Sequence, residues 1–264
     1  MENSKVKVIV ATHKKYEMPD DIYYMPMHVG KAGKESIGFM GDDTGDNISN
    51  KNPYYSELTA IYWMWKNLKT EYVGIVHYRR HFTQKNILYV KIHNKFDSIL
   101  KRKEIDTLLE KTDVILPKRR NYFVETLYSH YSHTLYVETL DETRRIIQEK
   151  EEEYLENFDK HMNGKKAHMF NMFIMKKEIF DKYCEWLFPL LEELELRIFP
   201  EQYNAFHARY IGRISELLLD VWIKKNNIKY EEVKVLNMER VDWIKKGIAF
   251  VKAKCLGTKY DKSF

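Results

Sequence analysis

Short apolar runs alternate along the chain with longer stretches in which apolar residues recur at helical spacing. Residues 5–11 (KVKVIVA) and 72–76 (YVGIV) are rich in β-branched residues, which is typical of strands in the core of a sheet. Asn52 is suited to be an N-cap and Pro53 to be the first residue of a helix, so a helix is predicted to begin there, between the two strands. Its apolar residues recur at spacings of three and four and form one face: Leu58, Ile61, Tyr62, Trp65 and Leu68.

The second half of the chain continues this alternation. Residues 113–117 and 168–175 have the composition of strands, and amphipathic spacing predicts helices over 177–198 and 211–226. Residues 139–162 are strongly charged and predict a pair of solvated helices. The pattern indicates an α/β fold.

Length and charge limit the class of protein. The chain has 264 residues, 44% of them hydrophobic, which is enough for one sizeable α/β domain. A net charge of +5 is consistent with an anionic substrate or membrane surface and is too small to imply nucleic acid. Cys184 and Cys255 predict neither a disulfide framework nor a zinc site. No apolar run suits a secretory signal or a membrane span, so a cytoplasmic location is expected.

Histidine, tyrosine and arginine side chains directly follow the strand at 72–76, in the order HYRRH. Ligands of open α/β sheets bind beyond the carboxyl ends of the strands, so these groups are placed to meet an anion. Arg79 and Arg80 can donate planar, bidentate hydrogen bonds to phosphate, which favours a diphosphate ligand. The alternative is that the two arginines are surface charges beside a core strand.

Three stretches of the sequence resemble a known family: NISNKNPYYSELTAIYWMWKN (47–67), YVGIVHYRRHF (72–82) and HMFNMFIMKKEIFDKYCEWLF (168–188). The family is encoded in bacterial capsule and exopolysaccharide gene clusters and was long classed as a domain of unknown function. Its members are now grouped with glycosyltransferases, and some are reported as galactofuranosyltransferases. The resemblance extends from residue 6 to about residue 223.

The resemblance implies a GT-A-like, Rossmann-type mixed sheet flanked by helices, with a helical C-terminal part. Residues 1–239 would form the glycosyltransferase domain, and residues 240–264 a basic amphipathic segment. The implied reaction moves a sugar, with galactofuranose as one candidate, from a UDP-linked donor to a lipid-linked oligosaccharide.

The donor site is expected at the ends of the first strand and of the strand at 72–76. In a doubly wound sheet the first strand–loop junction commonly contacts the nucleotide. The resemblance to GT-A enzymes implies that three residues there lie near the base and ribose: Thr12, His13 and Tyr16. An ordinary solvated loop is the alternative. The resemblance also favours hydrogen bonds from Asp43 and Asn47 to uridine or ribose, beside three residues of the HYRRH run: Tyr78, Arg79 and Arg80.

No metal ion is expected at this site. Metal-dependent GT-A enzymes usually carry Asp-x-Asp at the end of the strand that here reads 73–76, and this chain has His77-Tyr78-Arg79 there. Fixed arginine charge can stabilise a departing nucleoside diphosphate in place of the cation. The alternative is Mn²⁺ or Mg²⁺ held by His77 or by acidic residues of the 41–50 loop: Asp42, Asp43 and Asp46.

Candidate acceptor residues lie in the second half of the chain. His130 and His133 occur among tyrosine and serine residues that suit hydrogen bonding and stacking to a sugar, and a basic loop before a helix is the alternative. The resemblance adds His168 and Asn171. A buried, hydrogen-bonded structural role is the alternative for Asn171.

Two catalytic residues are predicted, His77 and Glu216. Glu216 stands beside the apolar face of its helix, and a partly buried carboxylate with a raised pKa could deprotonate an acceptor hydroxyl. A structural ion pair between Glu216 and Arg209 or Arg213 is the alternative.

Two other functional classes remain open. A phosphodiesterase or nuclease could use His77, His81 and the two arginines on a phosphodiester. A noncatalytic carbohydrate-binding module could use the same aromatic residues but would not need an arginine pair at a strand end.

The segment at 240–264 combines one apolar helical face with several lysines. This pattern predicts an interfacial helix at the inner membrane surface, where a lipid-linked acceptor would reside. A terminal helix packed on the domain is the alternative.

Overall fold

The computed structural model describes residues 4–239, which divide into two compact units. Among these residues, unit 1 consists of 4–118, 170–184 and 228–239, and unit 2 of 119–169 and 185–227. The predicted interfacial helix at 240–264 lies outside the described residues.

Strands and helices are numbered in chain order. The strands of the described residues, β1 to β10, are Val6–Thr12, Tyr24–His28, Met40–Gly41, Tyr72–His77, Arg80–Thr83, Val114–Pro117, Arg120–Asn121, Lys166–Ala167, Phe173–Lys176 and Glu231–Asn237. The α-helices over the same residues, α1 to α9, are Asn52–Tyr55, Leu58–Asn67, Ile87–Ile92, Arg102–Leu109, Leu127–Thr134, Glu138–Lys150, Leu155–Met162, Lys177–Arg197 and Tyr210–Lys225.

Unit 1 contains a mixed sheet with the strand order β3-β2-β1-β4-β5-β10-β6-β9. β1 runs parallel to β2 and β4, whereas β5 and β9 are antiparallel to their neighbours. Because β9 pairs with both β6 and β4, the strands β4, β5, β10, β6 and β9 close into a ring. The predicted mixed α/β sheet is confirmed, and its closure differs from the open sheet of a Rossmann-type fold.

Gly74 allows β4 and β9 to meet. A Cβ atom at Gly74 would lie 2.8 Å from Ile174 Cγ1 and 2.9 Å from the Phe173 carbonyl oxygen, so a larger residue would force the strands apart. The rest of β4 is buried up to its last residue, His77, and β1 is buried at all but one position. The prediction that both runs are core strands is therefore confirmed.

The helix predicted from Asn52 is interrupted after one turn. Ser56 has φ 52°, which ends α1 and lets α2 begin at Leu58. Lys51 is the N-cap of α1, and Asn52 is its first residue rather than its cap. The Asn52 side chain donates a hydrogen bond to the Ser56 carbonyl oxygen at 2.8 Å, which stabilises the break.

The strand predicted from residue 168 begins later. Phe170 (φ 79°) and Asn171 (φ 49°) lie in the left-handed region, which an extended strand cannot accommodate. β9 therefore starts at Phe173, and the left-handed pair forms a sharp turn immediately before it.

Unit 2 is mainly helical. The charged region at 139–162 forms α6 and α7, which confirms the predicted helical pair, and β7 pairs with β8. The apolar side chains predicted to face the core from α9 are buried: Ile214, Leu217, Leu218, Val221 and Trp222. Within residues 4–239, no helix has the length and apolar character needed to cross a membrane.

Candidate functional site

Aromatic side chains converge where β1 and β4 end. The two strands are parallel neighbours, and the Tyr78 amide donates to the Ala11 carbonyl oxygen at 3.1 Å. The Tyr78 ring is nearly buried, and the rings of His13 and Tyr16 pack edge-on against it at centroid distances of 5.4 and 5.0 Å. Three of the predicted donor residues therefore form one cluster.

Two cations complete this cluster. Lys14 Nζ lies 5.1 Å, and Arg79 Cζ 5.3 Å, from the centroid of the Tyr78 ring. Both also approach the carboxylate of Glu239, at 3.8 Å for Lys14 and 3.4 Å for Arg79. All of these charged groups are partly exposed, so the ion pairs contribute little to stability. We call His13, Lys14, Tyr16, Tyr78 and Arg79 the aromatic–cationic cluster.

Thr12 lies at the predicted junction between the first strand and its loop. Its side chain is buried, and its hydroxyl group donates to the Lys14 carbonyl oxygen at 2.6 Å. The same hydroxyl accepts a hydrogen bond from the Lys14 amide. Thr12 therefore shapes the loop that presents His13 and Lys14.

Arg79 and Arg80 have different surroundings. Tyr78 and Arg79 are the two-residue turn between β4 and β5, and His77 pairs with Arg80 across it. The chain reversal places Arg80 Cζ 4.4 Å from the centroid of the Phe170 ring, while Arg79 lies on Tyr78. Each arginine thus belongs to a different group of residues.

A second group surrounds the left-handed turn before β9. His77 Nε2 lies 2.5 Å from the Phe170 carbonyl oxygen and donates to it, and the Asn171 amide donates to Glu57 Oε1 at 2.7 Å. Burial lowers the pKa of His77, although the nearby Glu57 carboxylate partly opposes this shift. His77 is therefore neutral near pH 7, with its proton on Nε2. We call Glu57, His77, Arg80, Phe170 and Asn171 the carboxylate cluster.

The sequence did not single out Glu57 as a functional residue. Three residues near Glu57 have positive φ. Ser56 directly precedes it in the chain, and Asn171, whose side-chain amide donates to Glu57, directly follows Phe170. Non-glycine residues with positive φ are costly and concentrate at functional sites. Two sequence signals could have indicated it: Glu57 lies in the stretch 47–67 that carries the family resemblance, and it directly precedes the largely apolar helix α2.

Asp42 has a structural role. Its buried carboxylate accepts four hydrogen bonds, from the amides of Gly30 (2.8 Å) and Lys31 (3.0 Å) and from the hydroxyls of Ser49 and Thr59 (both 2.5 Å). These bonds tie the loop after β2 to α2. A carboxylate used in this way is a poor metal ligand, which disfavours Asp42 in the alternative metal site.

The other acidic-loop candidates lie at the surface. Asp43 is exposed and pairs with Lys31 at 3.7 Å, and Asp46 accepts from the Tyr62 hydroxyl at 3.2 Å. Asn47 donates to the Gly45 carbonyl oxygen within its own loop. Over residues 4–239, no three His, Cys, Asp or Glu residues are grouped so that they could hold a metal ion.

His81 lies in the core. Its side chain is fully buried in β5, and burial together with His77 lowers its pKa to about 3. A neutral, inaccessible imidazole cannot act on a phosphodiester. This position removes one of the groups required by the phosphodiesterase hypothesis.

In unit 2, His168 belongs to a buried polar network. Its amide and Nδ1 donate to the two oxygens of Asp220, at 2.8 and 2.7 Å, and its side chain has no exposed surface. Burial favours a raised pKa for Asp220, but the hydrogen bond from His168 lowers it below the usual value. His168 was predicted as an acceptor-binding residue, and its burial and bonding to Asp220 assign it a structural role instead.

His130 and His133 are brought together by a carboxylate that the sequence did not indicate. Their Nδ1 atoms donate to the buried carboxylate of Glu125 at 3.2 and 2.8 Å. The Tyr122 ring lies 4.4 Å from that of His130, and the His133 side chain is 40% exposed. These residues form a polar and aromatic surface within unit 2. Glu216 is partly exposed on α9 of the same unit.

A mixed α/β sheet with aromatic and cationic side chains at neighbouring strand ends defines a protein suited to binding an anionic, ring-containing ligand. Residues 7–227 match the model of a family described as a domain of unknown function, DUF4422, so the chain belongs to that family. The family resemblance inferred from the three sequence stretches is confirmed.

One solved structure is similar over most of the chain. It is described as the apo structure of WbbM, a bifunctional glycosyltransferase, and matches with a TM-score of 0.81 and 34% sequence identity over 90% of this chain. This chain covers 46% of that protein, about half its length. No curated protein matches this sequence.

Proposed function

We propose that this chain is a glycosyltransferase that moves a sugar from a UDP-linked donor to a lipid-linked saccharide in capsule or exopolysaccharide synthesis. The DUF4422 match and the similarity to a bifunctional glycosyltransferase support this class of reaction. Galactofuranose is one candidate for the transferred sugar, as the family resemblance suggests.

The aromatic–cationic cluster is the observation that carries the proposal. The rings of His13 and Tyr16, which pack on the buried Tyr78, suit stacking against a nucleotide base. Lys14 and Arg79 converge on one carboxylate, that of Glu239. A diphosphate can replace a carboxylate between two cations and accept stronger, charge-assisted hydrogen bonds from them. The cluster would therefore hold UDP with its base on the aromatic rings.

Glu57 is the base in this proposal. It interacts with His77, and the next residue in the chain, Tyr78, belongs to the aromatic–cationic cluster. In the proposed reaction the acceptor hydroxyl oxygen attacks the anomeric carbon, and the bond from that carbon to the diphosphate breaks. UDP leaves with the electron pair, stabilised by Arg79 and Lys14, while Glu57 accepts the hydroxyl proton.

His77 and Asn171 would position this base. His77 donates a hydrogen bond to the Phe170 carbonyl oxygen, which stabilises the left-handed turn at Phe170 and Asn171. This turn orients the Asn171 side-chain amide so that it donates to Glu57. The sequence-based proposal that His130 and His133 contact an acceptor sugar concerns unit 2 by itself, where the Nδ1 atoms of both residues donate to Glu125.

Arg79→Ala is expected to weaken UDP binding by about 10- to 150-fold. The reason is that a charge-assisted hydrogen bond to phosphate contributes roughly 1.5–3 kcal/mol. Isothermal titration with UDP measures this change. Arg102→Ala is a matched control, since Arg102 also lies over a tyrosine ring and beside a carboxylate but outside the cluster. Equal affinities of the Arg79 variant and the wild type would contradict the assignment of the donor site.

Transfer is expected to persist in EDTA. The fixed charges of Arg79 and Lys14 would stabilise the leaving diphosphate, and Asp42 is already committed to four hydrogen bonds. Release of UDP from a panel of UDP-sugars, with a lipid-linked acceptor, gives the rate with and without chelator. Loss of activity in EDTA that Mn²⁺ or Mg²⁺ restores would favour a metal-dependent mechanism.

A further inference from the structure

The short helix α3 exposes an apolar face to solvent. Ile87, Leu88 and Ile92 are 76, 69 and 71% exposed, and no residue of α3 is buried. At 3.6 residues per turn, these three and Lys91 lie within an arc of about 140°. Val90 points the other way and packs against the core of unit 1. The helix is therefore attached by one side and presents aliphatic side chains on the other.

The chain around α3 is strongly basic. Residues 84–103 contain six lysine or arginine residues and one aspartate, a net charge of +5, which equals the net charge of the whole protein. Lys91 is exposed on α3 itself, and three consecutive residues before and at the start of α4 are exposed as well: Lys101, Arg102 and Lys103. Within the part of the chain that the structure describes, basic residues thus surround the exposed apolar face of α3.

Contacts within unit 1 hold the apolar and basic groups together. Lys85, just before α3, donates to Glu104 in the first turn of α4 at 2.8 Å. Lys95, just after α3, donates to the carbonyl oxygens of Asn237 and Met238, both at 2.8 Å. Both ends of α3 are therefore fixed, and the basic start of α4 lies next to it.

We propose that α3 and its basic surroundings form a surface that docks on an anionic membrane. Aliphatic side chains flanked by lysines and arginines are the composition of an interfacial helix, in which apolar burial and attraction to anionic headgroups add together. A protein partner would not require the excess of positive charge around the apolar face. This surface differs from the C-terminal segment that the sequence predicted as a membrane anchor.

Vesicle flotation of the full chain tests the proposal. Binding is expected to phosphatidylcholine vesicles that contain phosphatidylglycerol, at low ionic strength, and to weaken as salt screens the charges. The Ile87→Ser/Leu88→Ser/Ile92→Ser variant is expected to lose about 100-fold or more in partitioning, since each buried aliphatic carbon contributes about fourfold. Lys91→Gln is expected to lose about fivefold, at low ionic strength only.

The matched control is Leu196→Ser/Phe199→Ser. These side chains are 69 and 63% exposed but lie among glutamates in unit 2, so vesicle binding is expected to be unchanged. Circular dichroism and UDP binding establish that each variant is folded. A full chain that ignores anionic vesicles at low ionic strength, or a triple variant that binds them as well as the wild type, would overturn the proposal.

Discussion

Glu57→Gln is expected to lower kcat for sugar transfer by about 10²- to 10⁴-fold, the usual loss when a general base is removed. Glutamine keeps the size of the side chain and can still accept the hydrogen bond that Asn171 donates at 2.7 Å. The fold and the affinity for UDP are therefore expected to change little. Initial rates at saturating donor and acceptor, together with titration of UDP, separate catalysis from binding.

Glu216→Gln is the comparison that decides between the two candidate bases. Glu216 was predicted from its place beside the apolar face of α9, whereas Glu57 is supported by its contact with Asn171 and its interaction with His77. If Glu57 is the base, the Glu216 variant retains kcat. A Glu57 variant with wild-type kcat, or one that loses UDP affinity in parallel with activity, would rule out the role as base.

The buried strands and helices could be predicted because burial against the core determines which residues they contain. β1 and β4 lie inside the sheet and are rich in β-branched residues, with Lys7 as the one charged side chain of β1. The apolar residues of α9 recur at helical spacing and are buried in unit 2. Hydrophobic periodicity reports such environments directly. The mixed α/β class of fold and the two buried strands β1 and β4 were therefore predicted correctly.

The turn between β4 and β5 was not predicted. Two-residue hairpin turns are usually marked by Asn-Gly or a similar pair, and here the turn residues are Tyr78 and Arg79. The run HYRRH therefore resembled a continuous loop with two cooperating arginines. The reversal instead separates Arg79 from Arg80 and sends His81 into the core.

The carboxylate cluster depends on contacts that no local pattern contains. Asn171 and Glu57 are 114 residues apart, and their meeting depends on the left-handed turn at Phe170 and Asn171. Asn tolerates positive φ, but a phenylalanine such as Phe170 rarely adopts it, so two successive left-handed residues could not be predicted from the residue types. The same limitation applies to Glu125, which orders His130 and His133 from outside their helix.

Asp42→Ala is expected to lower the free energy of unfolding by about 3–5 kcal/mol, because a buried donor left without its acceptor costs about 1–3 kcal/mol and four donors are affected. The change leaves the amides of Gly30 and Lys31, and the hydroxyls of Ser49 and Thr59, without their shared acceptor. Water cannot easily replace it, because Asp42 is completely buried. Urea denaturation followed by circular dichroism measures the difference.

Asp43→Ala is the matched control, because the neighbouring carboxylate is exposed and has one ion pair, with Lys31 at 3.7 Å. Its loss is expected to cost less than about 1 kcal/mol. If Asp42 served chiefly to bind a metal ion, its replacement would abolish Mn²⁺ or Mg²⁺ binding and leave unfolding in metal-free buffer unchanged. The four hydrogen bonds require the opposite result: a large loss of stability in metal-free buffer for Asp42→Ala and a small one for Asp43→Ala.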